Sequence, residues 1–221
     1  MKISIIKKIT LPFLILTVIV LCKESAAKMH NTENNIISKK ETVTKKDIAS
    51  LPEKSNVKKW NTNAATAKIT FKVEGLFGTV NGSLSGLKST IEFDGNDLAA
   101  SSIQASVDPK TISTGISMRN NDLQKEKYLN SDKYPLISFK SNKIQKSGTG
   151  YKVVGELTIK EVTRQVEIPF SFSDKGNEGV FKGNFVIQRE SFGVGAPGGS
   201  IGNNVTVNLT VPVTKTATKK H

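Results

Sequence analysis

The chain has 221 residues, and its 32 Lys and Arg against 19 Asp and Glu leave a formal charge of +13 at pH 7. Only two His (His30 and His221) and one Cys (Cys22) are present. That scarcity argues against Ser-His-Asp triads and multi-His metal sites, and it forbids an intramolecular disulfide or any CxxC device. No catalytic residue, metal site or cofactor is therefore expected.

Residues 1–27 read as an export signal. Lys2, Lys7 and Lys8 form a positive start, Ile9 to Leu21 an apolar run too short to span a membrane comfortably, and Ser25-Ala26-Ala27 a small-residue cleavage site before Lys28. Cys22 stands where a bacterial lipoprotein carries its acylated cysteine, although Leu21 replaces the usual small residue. Two outcomes follow: a periplasmic or secreted protein cleaved after Ala27, or an outer-membrane lipoprotein anchored through Cys22.

Residues 28–59 are rich in Lys, Asn, Glu, Ser and Thr, with few apolar side chains and no aromatic ring before Trp60. Such a segment buries too little to offset the entropy of ordering and reads as a flexible polar linker. Residues 1–27 contribute +3, 28–60 contribute +4 and the last seven +3, which leaves only +3 between 61 and 214. A basic tail at 215–221 is thus set apart from a nearly neutral domain at 60–214, and a nucleic-acid surface is not indicated.

After Trp60 the apolar residues alternate with period two, the pattern of half-buried strands. Ile69, Phe71 and Val73 share a face, as do Ile91 and Phe93, Ile103 to Val107, and Ile137 with Phe139. Val166, Ile168, Phe170 and Phe172 form the longest stripe, followed by Phe181 to Ile187 and Val205 to Val211. Turn signals stand at Asn81-Gly82, Asp94-Gly95, Ser147-Gly148, Gly176-Asn177 and through Gly193–Gly202. One stretch breaks the pattern: Asn120–Asn130 has capping residues, no β-branched side chain and a Pro soon after, and predicts a short helix. Eight or nine strands with one helical insertion predict an all-β fold, an antiparallel barrel or sandwich.

The order and spacing of several stretches resemble the YceI-like family across about 150 residues. They are Trp60, FKVEGLFGTVNGSLSGLKSTIEFD (71–94), DPKTIST (108–114), RNNDL (119–123), YLNSDKYPLISFKSNKI (128–144), YKVVGELTIKEVTRQVEIPF (151–170) and RESFGVG (189–195). The resemblance implies an exported, lipocalin-like β-barrel of about eight strands that binds a polyisoprenoid lipid. The chain departs from the family in NTNAATAKI after Trp60, in Glu161 where Gly is usual, and in Ser191 where an acid is common.

A lipid carrier needs a dry lumen, because each CH₂ removed from water gains about 0.8 kcal/mol. The expected tunnel lining is Phe71, Val73, Phe77, Ile103, Ile137, Phe139, Phe170 and Phe172. Arg119, read as lying directly before the helix, is the candidate for an anionic or quinone head group, with Lys127 and Lys133 as weaker ones. GVGAPGGSIG lacks the Lys-Ser/Thr of a phosphate loop and reads as a hairpin connection. Asp94 with Asp97, and Glu156 with Glu161, lack the aromatic surroundings of a sugar-cleaving pair. The expected function is binding of a polyprenyl phosphate or isoprenoid quinone for transport, storage or sequestration, with a homodimer left open. The alternative is a secreted stress-response or protein-interaction module, since any solid β core needs the same apolar stripes.

Overall fold

A computed structural model of the protein describes residues 57–216. The expected export signal, Cys22, all but the last residues of the linker, and residues 217–221 lie outside the described residues.

Strand β1 (Lys59–Thr62) precedes a hairpin of β2 (Lys68–Gly75) and β3 (Gly78–Leu84), then β4 (Lys88–Glu92) and β5 (Ser102–Val107). A 3₁₀ turn at Pro109–Thr111 and helix α1 (Ser117–Gln124) lead to β6 (Ile137–Ser147) and β7 (Gly150–Ile159). The chain ends through β8 (Val162–Asp174), β9 (Glu178–Gln188), a second 3₁₀ turn at Arg189–Phe192 and β10 (Ile201–Lys215). Strands β4 to β10 pair antiparallel in sequence order, and β1 pairs with both β4 and β10. Eight strands therefore close into a barrel.

The hairpin β2–β3 is added to the flank of β10 rather than to the ring. Val213 to Lys215 of β10 face β1, whereas Ile201 to Thr210 face β2. The lower wall is thus sealed by ladder hydrogen bonds. Higher up, β3 is its outer strand, and on its far side it is bridged at Ser83 and Ser113, whose N–H···O bonds measure 2.8 and 2.9 Å, with Ser85 just beyond it donating its N–H to Thr111 Oγ1 at 3.2 Å.

Alternation puts the apolar stripes inside. At the lower end they meet in an aromatic floor centred on Phe93, which is 1% exposed. Tyr151, Phe170, Phe172 and Phe181 surround it edge-on, with ring centroids 5.0 to 5.7 Å away. Buried Trp60 packs against Phe172 at 5.0 Å and donates its Nε1–H to the Phe93 carbonyl at 3.0 Å. A smaller cluster of Leu129, Leu157, Ile159 and Phe192 sits at the other end, beneath the β5–β6 connection.

Three local expectations change. Asn81-Gly82 is not a turn but lies within β3; the chain reverses at Leu76-Phe77, where Gly78 takes a φ of +109° that a side chain would resist. Helix α1 starts three residues before Asn120 and stops at Gln124. The Asn120 side chain caps nothing; its Oδ1 accepts from the N–H and hydroxyl of Thr114, both at 2.8 Å, and so ties the helix back to the preceding loop. Lys215 belongs to β10 and not to a tail, because its N–H donates to the Asn177 carbonyl at 2.7 Å.

Candidate functional site

Inside the barrel lies a cavity of about 640 Å³. Ile201, Val205, Val207, Leu209 and Val211 line it along β10, with Phe71 and Val73 of β2 beside them and Phe139, Phe170 and Phe185 on other strands. From Ile201 to Val211 the strand covers about 33 Å, which at ordinary barrel tilt is about 25 Å of depth. The floor is closed by the Phe93 cluster, and the upper end opens between α1, the β2–β3 hairpin and the β9–β10 loop.

The lumen stays unfilled for a local reason. Across β2 and β3, Phe71 pairs with Gly82, and the Phe71 ring lies where a side chain at 82 would stand. Phe139 lies likewise over Gly155 of β7, within 2.6 Å of the place its Cβ would take. Both rings lie against the wall instead of projecting to the axis. Ala105, Gly183 and three Val on the facing strands add little bulk.

Polar groups gather at the mouth. Arg119 and Asp122 of α1, with Tyr128, line the opening. Asp122 is held by Lys125 at 2.7 Å, while Arg119 has no ion pair among the described residues. Below them Arg189, 8% exposed, donates to the carbonyls of Gly202, Val194 and Ile201 at 2.9, 2.7 and 2.8 Å and to Glu190 at 3.2 Å. Its planar fork satisfies a buried charge and shapes the glycine-rich loop around the rim. The expected hairpin connection is thus an arginine-centred wrap.

A family model described as the YceI-like domain matches residues 60–213, from the Trp60 pillar of the floor to the last buried residue of β10. The chain belongs to the YceI-like family. Among its relatives, UPF0312 proteins of Yersinia pestis (strain Pestoides F) and Yersinia enterocolitica are each 26% identical over 152 residues, covering 66% of this chain and 79% of theirs. The crystal structure of Burkholderia cenocepacia BcnA superposes with a TM-score of 0.66 at 23% identity, covering 69% of this chain and 99% of that one. A structure described as a polyisoprenoid binding domain from Saccharophagus degradans gives 0.57 at 12% identity, over 71% and 98%. These likenesses show the fold.

On the YceI-like barrel, six of the eight expected lining residues border the cavity: Phe71, Val73, Ile103, Ile137, Phe139 and Phe170. Phe77 does not. It occupies the tip of the β2–β3 hairpin and is 96% exposed, because a residue in a two-residue reversal has no inner face. Phe172 points inward yet lies under the cavity, stacked on Phe181 at 4.3 Å and capped by Trp60. Arg119 does border the opening, although it sits in the first turn of α1 and not before it. Lys127 and Lys133 are exposed, near the rings of Tyr128 and Tyr134 at 5.5 and 5.1 Å. Arg189 and the β10 wall escaped the sequence reading as site residues, although the stripe Val205–Val211 was visible. Nothing in a strand pattern says that its inner face borders a void instead of another side chain.

Proposed function

We propose that this YceI-like protein is a non-enzymatic carrier that holds an amphiphilic isoprenoid, of the polyprenyl phosphate or isoprenoid quinone class, inside its barrel. The observation that carries this reading is the cavity: predominantly apolar along its depth, closed below by Phe93, with Arg119 and Asp122 at the rim. A prenyl tail directed toward the floor gains about 0.8 kcal/mol per buried CH₂, and a head group left at the mouth meets the unpaired Arg119. The resemblance in fold to a domain described as polyisoprenoid-binding supports it. The apolar start of the chain supports an exported location, with anchoring through Cys22 as its lipoprotein form.

Native mass spectrometry of protein purified from its own host tests the reading, followed by lipid extraction. A bound mass that extracts as an isoprenoid is the expected result. A barrel that is empty from the host and takes up neither a prenyl phosphate nor an isoprenoid quinone in vitro overturns it.

A further inference from the structure

Six large apolar side chains are exposed among the described residues, and five of them crowd one end of the barrel. Leu76 and Phe77 at the β2–β3 tip are 80% and 96% exposed, and Met118 at the start of α1 is 77% exposed. Ile116 and Leu136 are about half exposed; the sixth, Val186, lies on the outer wall. The register fixes their common level. Gly75 pairs with Ile201 at the mouth end of β10, the Leu76 N–H donates to the Ser200 carbonyl at 2.8 Å, and Ile116 and Met118 themselves border the cavity. Scattered exposed apolar residues are ordinary, but a cluster around a single opening marks a contact surface.

Charge points to the partner. Residues 72–80, 108–137, 158–166 and 187–204, which build this end, hold nine Lys or Arg against seven Asp or Glu. Four ion pairs absorb Glu74, Asp132, Asp122 and Glu190. Five cations, Arg119 among them, then face three remaining carboxylates. An apolar tip ringed by surplus positive charge suits the interface of an anionic bilayer, with side chains among the acyl chains and cations at the phosphates. The wall supplies a path as well, since among the described residues a single β-bridge, Ser83–Ser113, joins β3 to Ile112–Met118.

We infer that the mouth end is a membrane-docking face: Leu76, Phe77 and Met118 insert into a bilayer containing anionic phospholipid, so that the cavity opens directly onto lipid. This deepens the carrier reading and rests on it only for what passes through the mouth. A lipid tail would then move from bilayer to lumen past Met118 and Ile116 without crossing water.

The test uses the full chain with a reporter at each end, Phe77→Trp at the mouth and Asn177→Trp in the β8–β9 turn at the floor; Trp60 is buried in both. Vesicles of acyl-brominated phosphatidylcholine with a quarter phosphatidylglycerol are added. Docking predicts a blue shift and quenching of about twofold at position 77, with position 177 unchanged. An unquenched reporter at 77, or equal quenching at both ends, overturns the inference. A second arm replaces Leu76 and Phe77, neither of which lines the cavity, with Asp. Transfer of an isoprenoid quinone from vesicles should fall at least about tenfold while uptake from detergent micelles persists; unaltered vesicle transfer also counts against docking. Quenching at 77 without uptake of quinone or prenyl phosphate from either source sustains the docking face and refutes the carrier.

Discussion

Phe71 and Gly82 face each other across β2 and β3, and the Phe71 ring occupies the space that any side chain at 82 would need. The pair explains how a wall of large residues encloses an open lumen. It also makes one glycine a determinant of cavity volume. Gly82→Ala is expected to turn the Phe71 ring toward the axis, at about 1 to 3 kcal/mol of stability, and to reduce bound isoprenoid in native mass spectra. A second change, Phe71→Ala in the Gly82→Ala background, should restore room for the ligand.

The floor should behave as a stability element and not as a binding element. Phe93→Ala removes the ring that four neighbours surround edge-on, and a loss of about 3 to 5 kcal/mol is expected in denaturant unfolding. Trp60→Phe keeps most of the packing but leaves the Phe93 carbonyl without its donor, at about 1 to 3 kcal/mol. Folded Trp60→Phe protein should still bind ligand as the parent does.

Filling the lumen separates a carrier from a protein whose cavity is idle. Leu209→Trp projects an indole into the cavity that Leu209 lines. The variant should stay folded, with the same far-ultraviolet circular dichroism and at most about 3 kcal/mol lost. Isoprenoid uptake should be abolished, and retention of full uptake would show that ligand sits elsewhere.

Arg189 is expected to be the least replaceable residue of the rim. Arg189→Met strips the donors from the Gly202, Val194 and Ile201 carbonyls. A destabilisation of about 3 to 5 kcal/mol is expected, with hydrogen exchange rising first through 193–202. Arg189→Lys should recover only part of it, because an ammonium lacks the planar fork.

The exposed side of the β2–β3 hairpin carries a pH-dependent contact. The Lys72 ammonium, 2.7 Å from Glu74, and the Thr79 hydroxyl, donating at 2.6 Å, hold the Glu74 carboxyl below its ordinary range. A lowered folded-state value contributes stability above the ordinary carboxylate range, and that contribution disappears as pH falls through the lowered value. NMR titration should place Glu74 below the ordinary glutamate value, and Thr79→Ala should move it upward. Protection of the hairpin amides should decline on the same acid limb.

Much of the fold is legible because strand alternation is local. The stripes on β2, β8, β9 and β10 carry their period within a few residues, and each faces inward as its spacing requires. The strands with weak stripes were harder. Gly82 interrupts β3 and mimics a turn, and Gly155 leaves a gap in the inward apolar stripe of β7. Asn120 carries a capping signal whose hydrogen bonds run back to Thr114, so the helix begins earlier than that signal implies.

The sequence by itself determined which strand residues turn inward, and with them an all-β fold with an apolar interior; that the strands close into a barrel follows from β1 pairing with both β4 and β10. Nor did the sequence determine height. Phe170 and Phe172 share one stripe on β8, yet Phe170 borders the cavity and Phe172 belongs to the floor under it. Alternation assigns a face, whereas position along the barrel axis follows from register between distant strands, as where Phe172 meets Phe181. The same nonlocal pairing brings the β2–β3 tip level with α1 and the Arg189 loop. Only the closed structure therefore decided where the cavity ends, where it opens, and that its opening is ringed by exposed apolar side chains.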